Sequence, residues 1–150
     1  MNYDDNDVAV VARTLWGEAR GEPHDGKAAV AWVIRNRASR ARFSPDLFGR
    51  AGAAAAVCQA PWQFSCWNEA DPNRAKLLVL KPIDMAIEMQ IATDVLAGAI
   101  EDPTNGADHY HTIDAPSWAR AWPPTWAPTM REVARFGGHV FYDSRRLPWG

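Results

Sequence analysis

One carboxylate in this chain has the setting of a general acid. Val11 and Leu15 precede Glu18 by about two turns and one turn on the same side of the first predicted helix. Glu18 is therefore expected at the edge of an apolar stripe and in the last helical turn, and both positions disfavour a charged carboxylate. A carboxyl group that keeps its proton can donate it to a leaving oxygen. The alternative is a carboxylate that is simply bound to Arg13, to Arg20 or to a donor at the rim of the core.

A second group of chemically useful side chains alternates polar and aromatic residues over 62–68. Amides and hydroxyls can hydrogen-bond to the polar groups of a sugar, and aromatic faces can contact the apolar side of its ring. The simpler interpretation is that these rings only close the core. We expect Phe64 and Cys66 to lie in the core, and Gln63 and Ser65 to lie nearer a ligand cleft.

Two histidines, His109 and His111, are spaced so that they share one face of a strand. His139 could join them from a neighbouring strand, and Asp108 could add a carboxylate. Such ligands are typical of zinc sites, but the chain lacks a metal-binding motif such as HExxH. We therefore predict no metal or other cofactor, and expect Tyr110 and one histidine of the pair to line a cleft near the general acid.

The composition excludes several classes of protein. With 150 residues, 47% of them hydrophobic and 23% charged, the chain can form one domain with a sizeable core. A net charge of −2 argues against a nucleic-acid-binding protein, and no stretch approaches the roughly 20 apolar residues of a membrane span. The N-terminus shows no signal peptide. Cys58 and Cys66 are expected to be reduced thiols in the core.

The apolar periodicity predicts a single, mostly helical α+β domain over residues 1–150. Helices are expected at about Asp7–Arg20, Asp25–Ala38 and Ala51–Val57, and from Pro82 until Gly98 ends the last one. One apolar ridge of that last helix consists of Ile83, Ile87, Ile91 and Val95. Strand-like content at 107–112 and 138–142 predicts a small antiparallel β element late in the chain. The segment 116–129 is too rich in proline for regular structure.

Four blocks, in this order and spread over most of the chain, carry a family resemblance. They are Trp16–Glu22 (WGEARGE) with the following Val33–Arg37 (VIRNR), Gln63–Asn68 (QFSCWN), Asp102–Ala107 (DPTNGA) with His109–His111 (HYH), and Gly138–Tyr142 (GHVFY). Together they resemble the SleB/CwlJ-type cell-wall hydrolases, which include spore-cortex-lytic and related peptidoglycan-degrading enzymes. The stretch after His111 does not align with that pattern.

The resemblance implies a lysozyme-like, lytic-transglycosylase-like domain that cleaves the β-1,4 bond between N-acetylmuramic acid and N-acetylglucosamine. The catalytic glutamate of the family's GEA motif maps onto Glu18. One glutamate suffices for a lytic transglycosylase, because the muramic 6-hydroxyl attacks its own anomeric carbon. A hydrolytic muramidase needs a second carboxylate, for which the candidates are Glu22, Asp25, Glu69, Asp71 and Asp108. We interpret Glu22 as a turn or helix-capping residue.

Two alternatives from other classes stay open. One is a zinc-dependent amidase or peptidase acting on the stem peptide through His109, His111 and His139. The other is a non-catalytic saccharide-binding module built on the 8 tryptophans. Trp62 and Trp67 flank the QFSC segment and could form a sugar platform there. A further cluster is expected to cover the core or form a groove wall, and it consists of Trp118, Trp122 and Trp126.

The residues expected to bind the glycan strand are Gln63, Ser65, Trp67, Asn105, His109, Tyr110 and His111. The predicted partner is peptidoglycan, with no nucleic acid and no membrane insertion, and the chain is expected to act as a monomer. A catalytic domain without visible export information resembles a phage endolysin. Such a protein waits in the cytoplasm and reaches the wall through a holin or after lysis.

Overall fold

Five α-helices precede a three-stranded antiparallel sheet in the computed structural model, which describes residues 1–61 and 63–146. The helices are α1 (Asp5–Ala19), α2 (His24–Ala38), α3 (Ala53–Gln59), α4 (Pro72–Val79) and α5 (Ala86–Ala97). The strands are β1 (His109–Thr112), β2 (Arg131–Phe136) and β3 (His139–Asp143), and short 3-10 turns are formed by Ser65–Trp67, Pro82–Met85 and Ala127–Thr129. Within the described residues, none of the helices combines the length and the apolar character that a membrane crossing requires.

The start of α1 is fixed by two aspartates that cap each other. Asp4 accepts a hydrogen bond from the backbone N–H of Asp7 at 2.8 Å, and Asp7 accepts one from that of Asp4 at 3.0 Å. This arrangement satisfies N–H groups that the first helical turn leaves unpaired. The buried Asp7 carboxylate also accepts from the backbone N–H groups of Gly52 and Ala55, at 2.8 and 3.0 Å. It therefore joins the first turn of α1 to the start of α3.

The structure confirms the first three predicted helices with small shifts of their ends, and adds two elements. The short helix α4 begins at Pro72 under the cap of Asp71, whose carboxylate accepts from the backbone N–H of Asn73 at 2.8 Å. Among the residues of α4 only Leu77 is buried, so the sequence shows no apolar stripe that would predict this helix. The strand β2 is mostly exposed or half-buried and carries three charges, which conceals the period-two pattern of a strand.

Only half of the apolar ridge predicted for the last helix is buried. Ile91 and Val95 are enclosed, whereas Ile83 is 83% exposed and Ile87 is 59% exposed. The four residues of the predicted ridge therefore do not form one continuous buried face. Ile83 lies in a 3-10 turn over residues 82–85 rather than in the first turn of an α-helix, so the helical period does not extend to it. Ile87 lies in the first turn of α5 and is exposed, although Ile91 one turn later is buried.

The main core collects side chains from the helices and from one face of the sheet. Its fully enclosed members include Leu15, Ile34, Cys58, Ile91 and Phe141. Phe141 belongs to β3, the central strand in the order β1-β3-β2. The sheet therefore covers the helical core with its middle strand.

The register of the sheet decides which side chains face the helices. Tyr110 of β1 pairs with Phe141 of β3, and His111 pairs with Val140. Successive side chains of a strand point to opposite faces, so Tyr110 and Phe141 lie on the face that packs on the main core. Val140 lies on the other face, in a smaller cluster against Trp126.

The exposed and buried isoleucines of the last helical region give a direct test of its orientation. Ile91→Ala is expected to lower the free energy of unfolding by about 2–5 kcal/mol, because it leaves a cavity in the core. Ile87→Ala is the matched control on the same helix and is expected to change it by less than about 0.5 kcal/mol. Urea denaturation followed by circular dichroism measures both. Equal losses in the two variants would contradict the described orientation of α5.

Candidate functional site

The Glu18 carboxylate lies in the last turn of α1 and is held by the 3-10 turn at 65–67. Its Oε1 accepts a hydrogen bond from the backbone N–H of Cys66 at 3.2 Å, and the Ser65 hydroxyl lies 3.5 Å from the same oxygen. Glu18 is half-buried and Ser65 is exposed. The carboxylate is thus fixed in direction while part of it stays in contact with solvent, which suits proton transfer to a bound ligand.

Gly17 allows the turn at 65–67 to come this close to α1. A Cβ atom at position 17 would lie 2.9 Å from Cβ and 3.0 Å from Sγ of Cys66, and 3.3 Å from a methyl group of Leu77. Glycine inside a helix costs about 0.5–1 kcal/mol relative to alanine. Here the missing side chain makes room for the backbone N–H that binds the neighbouring carboxylate.

Trp67 anchors the same turn on α1. Its Nε1 donates a hydrogen bond to the Thr14 hydroxyl at 2.8 Å, and that hydroxyl donates to the carbonyl of Val10 at 2.8 Å. Phe64 and Cys66 are buried, as expected. Burial, together with the nearby Glu18 charge, raises the pKa of the Cys66 thiol. Both cysteines are free thiols in the core, as predicted.

The buried guanidinium of Arg37 on α2 connects the other parts of the site. Its Nε donates to the carbonyl of Asp108 at 2.7 Å, and its Nη1 donates to the side-chain oxygen of Gln63 at 3.1 Å. It also lies 5.4 and 5.2 Å from the ring centres of Phe43 and Phe64. Burial lowers the pKa of Arg37, while nearby Tyr110 and Asp108 oppose that effect. The sequence reasoning missed this residue, whose one signal was its place in the VIRNR block.

Asn36, the neighbour of Arg37, fixes the DPTNGA loop on α2. Its Nδ2 donates to Oδ2 of Asp102 at 3.0 Å and to the carbonyl of Ala107 at 2.9 Å. The Asp102 carboxylate also accepts from the backbone N–H and hydroxyl of Thr104 at 2.8 and 2.6 Å, so it closes the turn from inside. The loop therefore enters β1 in a defined position.

Asn105 lies at the exposed tip of this turn. Its φ of 56° is in the left-handed region, which asparagine tolerates better than most residues. Its Nδ2 donates to the carbonyl of Val133 in β2 at 3.4 Å. This hydrogen bond connects Asn105 to the sheet. Among the described residues, no hydrogen bond connects its side chain to the turn that holds Glu18.

Asp108 is a fully buried anchor at the start of β1. Its carboxylate accepts from Nη1 of Arg40 at 2.9 Å and from the backbone N–H and hydroxyl of Ser144 at 2.9 and 2.6 Å, and Nδ1 of His109 lies at 2.8 Å. Burial alone would raise the pKa of Asp108, but the hydrogen bonds from His109 and Ser144 hold it well below its usual range. With these partners in place, Asp108 is a structural carboxylate rather than a base for water.

The strand β1 divides its predicted glycan-binding residues between the two faces of the sheet. Tyr110 faces the core side, where burial and then the Glu18 charge raise its pKa well above the usual value. His109 and His111 face the proline-rich segment instead, 5.3 and 5.7 Å from the ring of Trp126. Of the three, Tyr110 is the one on the face that packs on the main core, and it is the one whose pKa the Glu18 charge raises.

The three histidines of the zinc alternative do not converge. His139 pairs with Thr112, so it lies on the opposite face of the sheet from His109 and His111. The expectation that it could join them was therefore wrong. Nδ1 of His111 lies 2.7 Å from the Thr112 carbonyl and Nε2 lies 2.9 Å from the Tyr142 hydroxyl. Within residues 1–61 and 63–146, no group of three or more His, Cys, Asp and Glu side chains is arranged to hold a metal ion.

Glu22 joins the turn after α1 to the turn before β3. Its Oε2 accepts from the backbone N–H of Gly138 at 3.0 Å, and Nδ1 of His139 lies 3.3 Å from Oε1. A Cβ atom at Gly137 would collide with the same carboxylate. Burial lowers the pKa of His139, and Glu22 opposes the shift. These contacts give Glu22 a place in a turn, consistent with its interpretation from the sequence.

Two cavities border the residues around Glu18. One of about 740 Å³ is lined by Trp67 and by the exposed Glu69, among others. The other, of about 600 Å³, is lined by Tyr110 and by residues between 116 and 126. The three tryptophans of that segment thus form a groove wall. Of the two tryptophans of the predicted sugar platform, Trp67 lines the first cavity and Trp62 falls outside the described residues.

Comparison with known proteins finds relatives along most of the chain. A family model described as Cell Wall Hydrolase matches residues 21–142, beginning just after Glu18. The spore cortex-lytic enzyme of Oceanobacillus iheyensis is 31% identical over 141 residues, which are 94% of this chain and 43% of the relative. That of Halalkalibacterium halodurans is 30% identical over 139 residues, 93% of this chain and 35% of the relative. The chain therefore spans less than half the length of these curated relatives.

Two solved structures share the fold. The catalytic domain of the Bacillus cereus SleB protein has a TM-score of 0.71 and 27% identity, with 94% of this chain and 92% of that chain covered. The catalytic domain of the germination-specific lytic transglycosylase SleB from Bacillus anthracis has the same TM-score and identity, with 94% and 97% covered. The predicted lysozyme-like α+β fold is thereby confirmed.

Gly17→Ala tests the close approach between α1 and the turn at 65–67. The added methyl group is expected to displace Cys66 and to lower the free energy of unfolding by about 1–3 kcal/mol, as overpacking does. It should also speed the reaction of the Cys66 thiol with a disulfide reagent under native conditions. Gly21→Ala is the control, since nothing lies within 4 Å of a Cβ atom there. Equal thiol reactivity in both variants would contradict the packing role of Gly17.

Asp108→Asn tests the buried anchor of β1. Removing one partner of a buried charge pair is expected to cost about 3–5 kcal/mol of unfolding free energy at pH 7. Because the pKa of Asp108 is lowered in the folded chain, its contribution is present above the ordinary carboxyl pKa and is lost as the pH falls toward the lowered value. The difference between the parent chain and the variant should therefore shrink below about pH 4.

Denaturant titrations from pH 7 to pH 3 measure this difference. The exposed Asp46, changed to Asn, is the control and should cost less than about 0.5 kcal/mol. A constant difference across that range would show that the Asp108 charge is not what stabilises the start of β1.

Proposed function

Because this chain belongs to the Cell Wall Hydrolase family, whose model matches residues 21–142, we propose that it cleaves peptidoglycan glycan strands. The bond is the β-1,4 link between N-acetylmuramic acid and N-acetylglucosamine, and the chain acts as a single catalytic domain and as a monomer. The observation that carries the proposal is Glu18: a half-buried carboxylate at a helix end, oriented by the backbone N–H of Cys66.

In the proposed reaction, Glu18 first donates its proton to the glycosidic oxygen as the bond to the anomeric carbon breaks. The resulting carboxylate then accepts the proton of the muramic 6-hydroxyl, whose oxygen attacks the same anomeric carbon. The products are a free 4-hydroxyl on one sugar and a 1,6-anhydro ring on the other, and Glu18 regains its proton. No water is consumed, and the intramolecular attack has a large proximity advantage.

The surroundings of the other carboxylates favour this route over hydrolysis. A hydrolytic glycosidase needs a second carboxylate as nucleophile or as base for water. Asp108 is buried among its hydrogen-bond donors, Glu22 is bound to the turn before β3, and Asp71 caps α4. Glu69, exposed at the cavity beside Trp67, and Asp25, also exposed, are the candidates left for a hydrolytic muramidase.

The glycan-binding set predicted from the sequence enters the proposal in two groups. Ser65 and Tyr110 contact Glu18 or sense its charge, so we place them beside the reacting sugar, with Gln63 presented next to them by Arg37. Trp67 lines the neighbouring cavity. A second group, farther along the strand or turn, comprises Asn105, His109 and His111. The endolysin role and the holin-dependent release stay predictions.

Glu18→Gln is expected to lower the rate of glycan cleavage by about 10²–10⁴-fold, because the amide cannot donate or accept the proton. The fold should be unchanged, as judged by circular dichroism and thermal unfolding. Purified sacculi are digested, and the soluble fragments are identified by mass spectrometry. Full activity in this variant would remove the proposed role of Glu18.

The same digest distinguishes the alternatives. Anhydro-muramic ends are expected, with Glu69→Gln as the matched control that keeps near-parental activity. Reducing muramic ends together with an inactive Glu69→Gln variant would indicate a hydrolytic muramidase. Free stem peptides lost on addition of EDTA would indicate the amidase, and no soluble product would indicate a saccharide-binding module.

A further inference from the structure

The cavity between β1 and the segment 116–126 has a feature that core packing does not explain. Trp118 is 77% exposed although it is the largest type of side chain. We propose that Trp118 and Trp122 form an aromatic sugar subsite, which binds one N-acetylhexosamine ring of the glycan strand outside the reacting bond. This inference rests on the proposed function and extends it to a part of the chain that the family resemblance leaves unassigned.

Trp122 forms the rigid wall of this subsite. Its Nε1 donates a hydrogen bond to the carbonyl of Thr112 in β1 at 2.9 Å. Its ring meets that of His111 edge to face, with centres 5.5 Å apart and an angle of 81°. His111 is itself placed by contacts of both ring nitrogens with Thr112 and Tyr142. The wall is thus built on a strand of the sheet rather than on a free loop.

Trp118 presents an open ring face beside that wall. Its ring stands at 89° to the ring of Trp122, with centres 6.2 Å apart, so the two form a corner. An aromatic pair of this geometry is favourable by itself, and it fixes the exposed ring without burying it. The prolines of the segment limit its backbone freedom, so the corner is formed before a ligand arrives.

The lining of the cavity selects an uncharged ligand. No Lys, Arg, Asp or Glu is among the described residues that line it, which are Tyr110, His111, Thr112, Pro116, Trp118, Ala121, Trp122, Pro124, Thr125 and Trp126. A stem peptide carries carboxylates and amines that such a surface would leave unpaired. A pyranose ring has an apolar C–H face for stacking and hydroxyl groups that stay in water. The volume of about 600 Å³ lies in the usual range for ligand pockets.

Tyr110 and the corner share the edge strand β1. Tyr110 lines this cavity, while its ring lies on the sheet face that packs on the main core. We place the Trp118–Trp122 corner beside a sugar farther along the glycan strand, which is not the one being cleaved. Such a subsite strengthens the binding of long strands and leaves the chemical step unchanged.

The test compares Trp118→Ala, Trp118→Phe and the control Phe48→Ala, which removes an aromatic ring that is 50% exposed and outside this cavity. Peptide-free glycan strands of defined length are the substrate. We expect Trp118→Ala to raise KM for long strands about three- to tenfold, with kcat and the cleavage of the shortest cleavable fragment unchanged. Trp118→Phe should keep most of the affinity, and Phe48→Ala all of it. A KM unchanged by Trp118→Ala, or a loss equal on short and long strands, would overturn the subsite.

A binding measurement separates this inference from the proposed cleavage. The same Trp118 changes are made in the Glu18→Gln chain, and the strands are titrated while tryptophan fluorescence is recorded. Weaker binding with Trp118→Ala supports the subsite whether or not the parent chain cleaves the strand. Equal binding of both chains, or no binding of either, overturns it. Failure of the proposed cleavage is read separately, from the absence of soluble products with the parent chain.

Discussion

One buried guanidinium holds the site together. A cation removed from water must have its donors satisfied, or the cost of burying it destabilises the fold. Arg37 meets that requirement with the carbonyl of Asp108 and the side chain of Gln63, between two aromatic rings. Its partners lie in two segments far apart in the chain. Satisfying this one charge therefore requires α2, the start of β1 and the QFSCW segment to meet at a fixed place.

The position of the candidate acid depends on a second constraint, which is steric. Glu18 receives the Cys66 N–H because Gly17 has no side chain to keep the turn at 65–67 away from α1. Trp67 then fastens that turn to Thr14, one helical turn earlier on α1. The carboxylate thus has a fixed neighbour in the backbone N–H of Cys66. The rest of its surroundings stays available to a ligand.

The two faces of the sheet carry different groups of candidate ligand contacts. Because β1 alternates its side chains, Tyr110 belongs to the face of Glu18, while His109 and His111 belong to the face that supports the tryptophan segment. His109 and His111 therefore contact aromatic rings of that segment. The family relatives share this fold at a TM-score of 0.71, and the tryptophan corner is built on its sheet.

The sequence by itself determined the helices α1 and α2, the location of Glu18 at the end of α1, the family and the fold class. Helical periodicity and helix caps are local signals, and a motif such as GEA can be identified from neighbouring residues alone. Only the tertiary structure decided that Arg37 organises the site and that Gly17 allows the close approach of Cys66. It also decided that His139 faces away from His111. Each depends on segments distant in the chain, such as Glu18 with Cys66 and Arg37 with Asp108. Periodicity shows which face of a helix or strand is apolar. The packing of the whole chain decides which other helix or strand contacts that face.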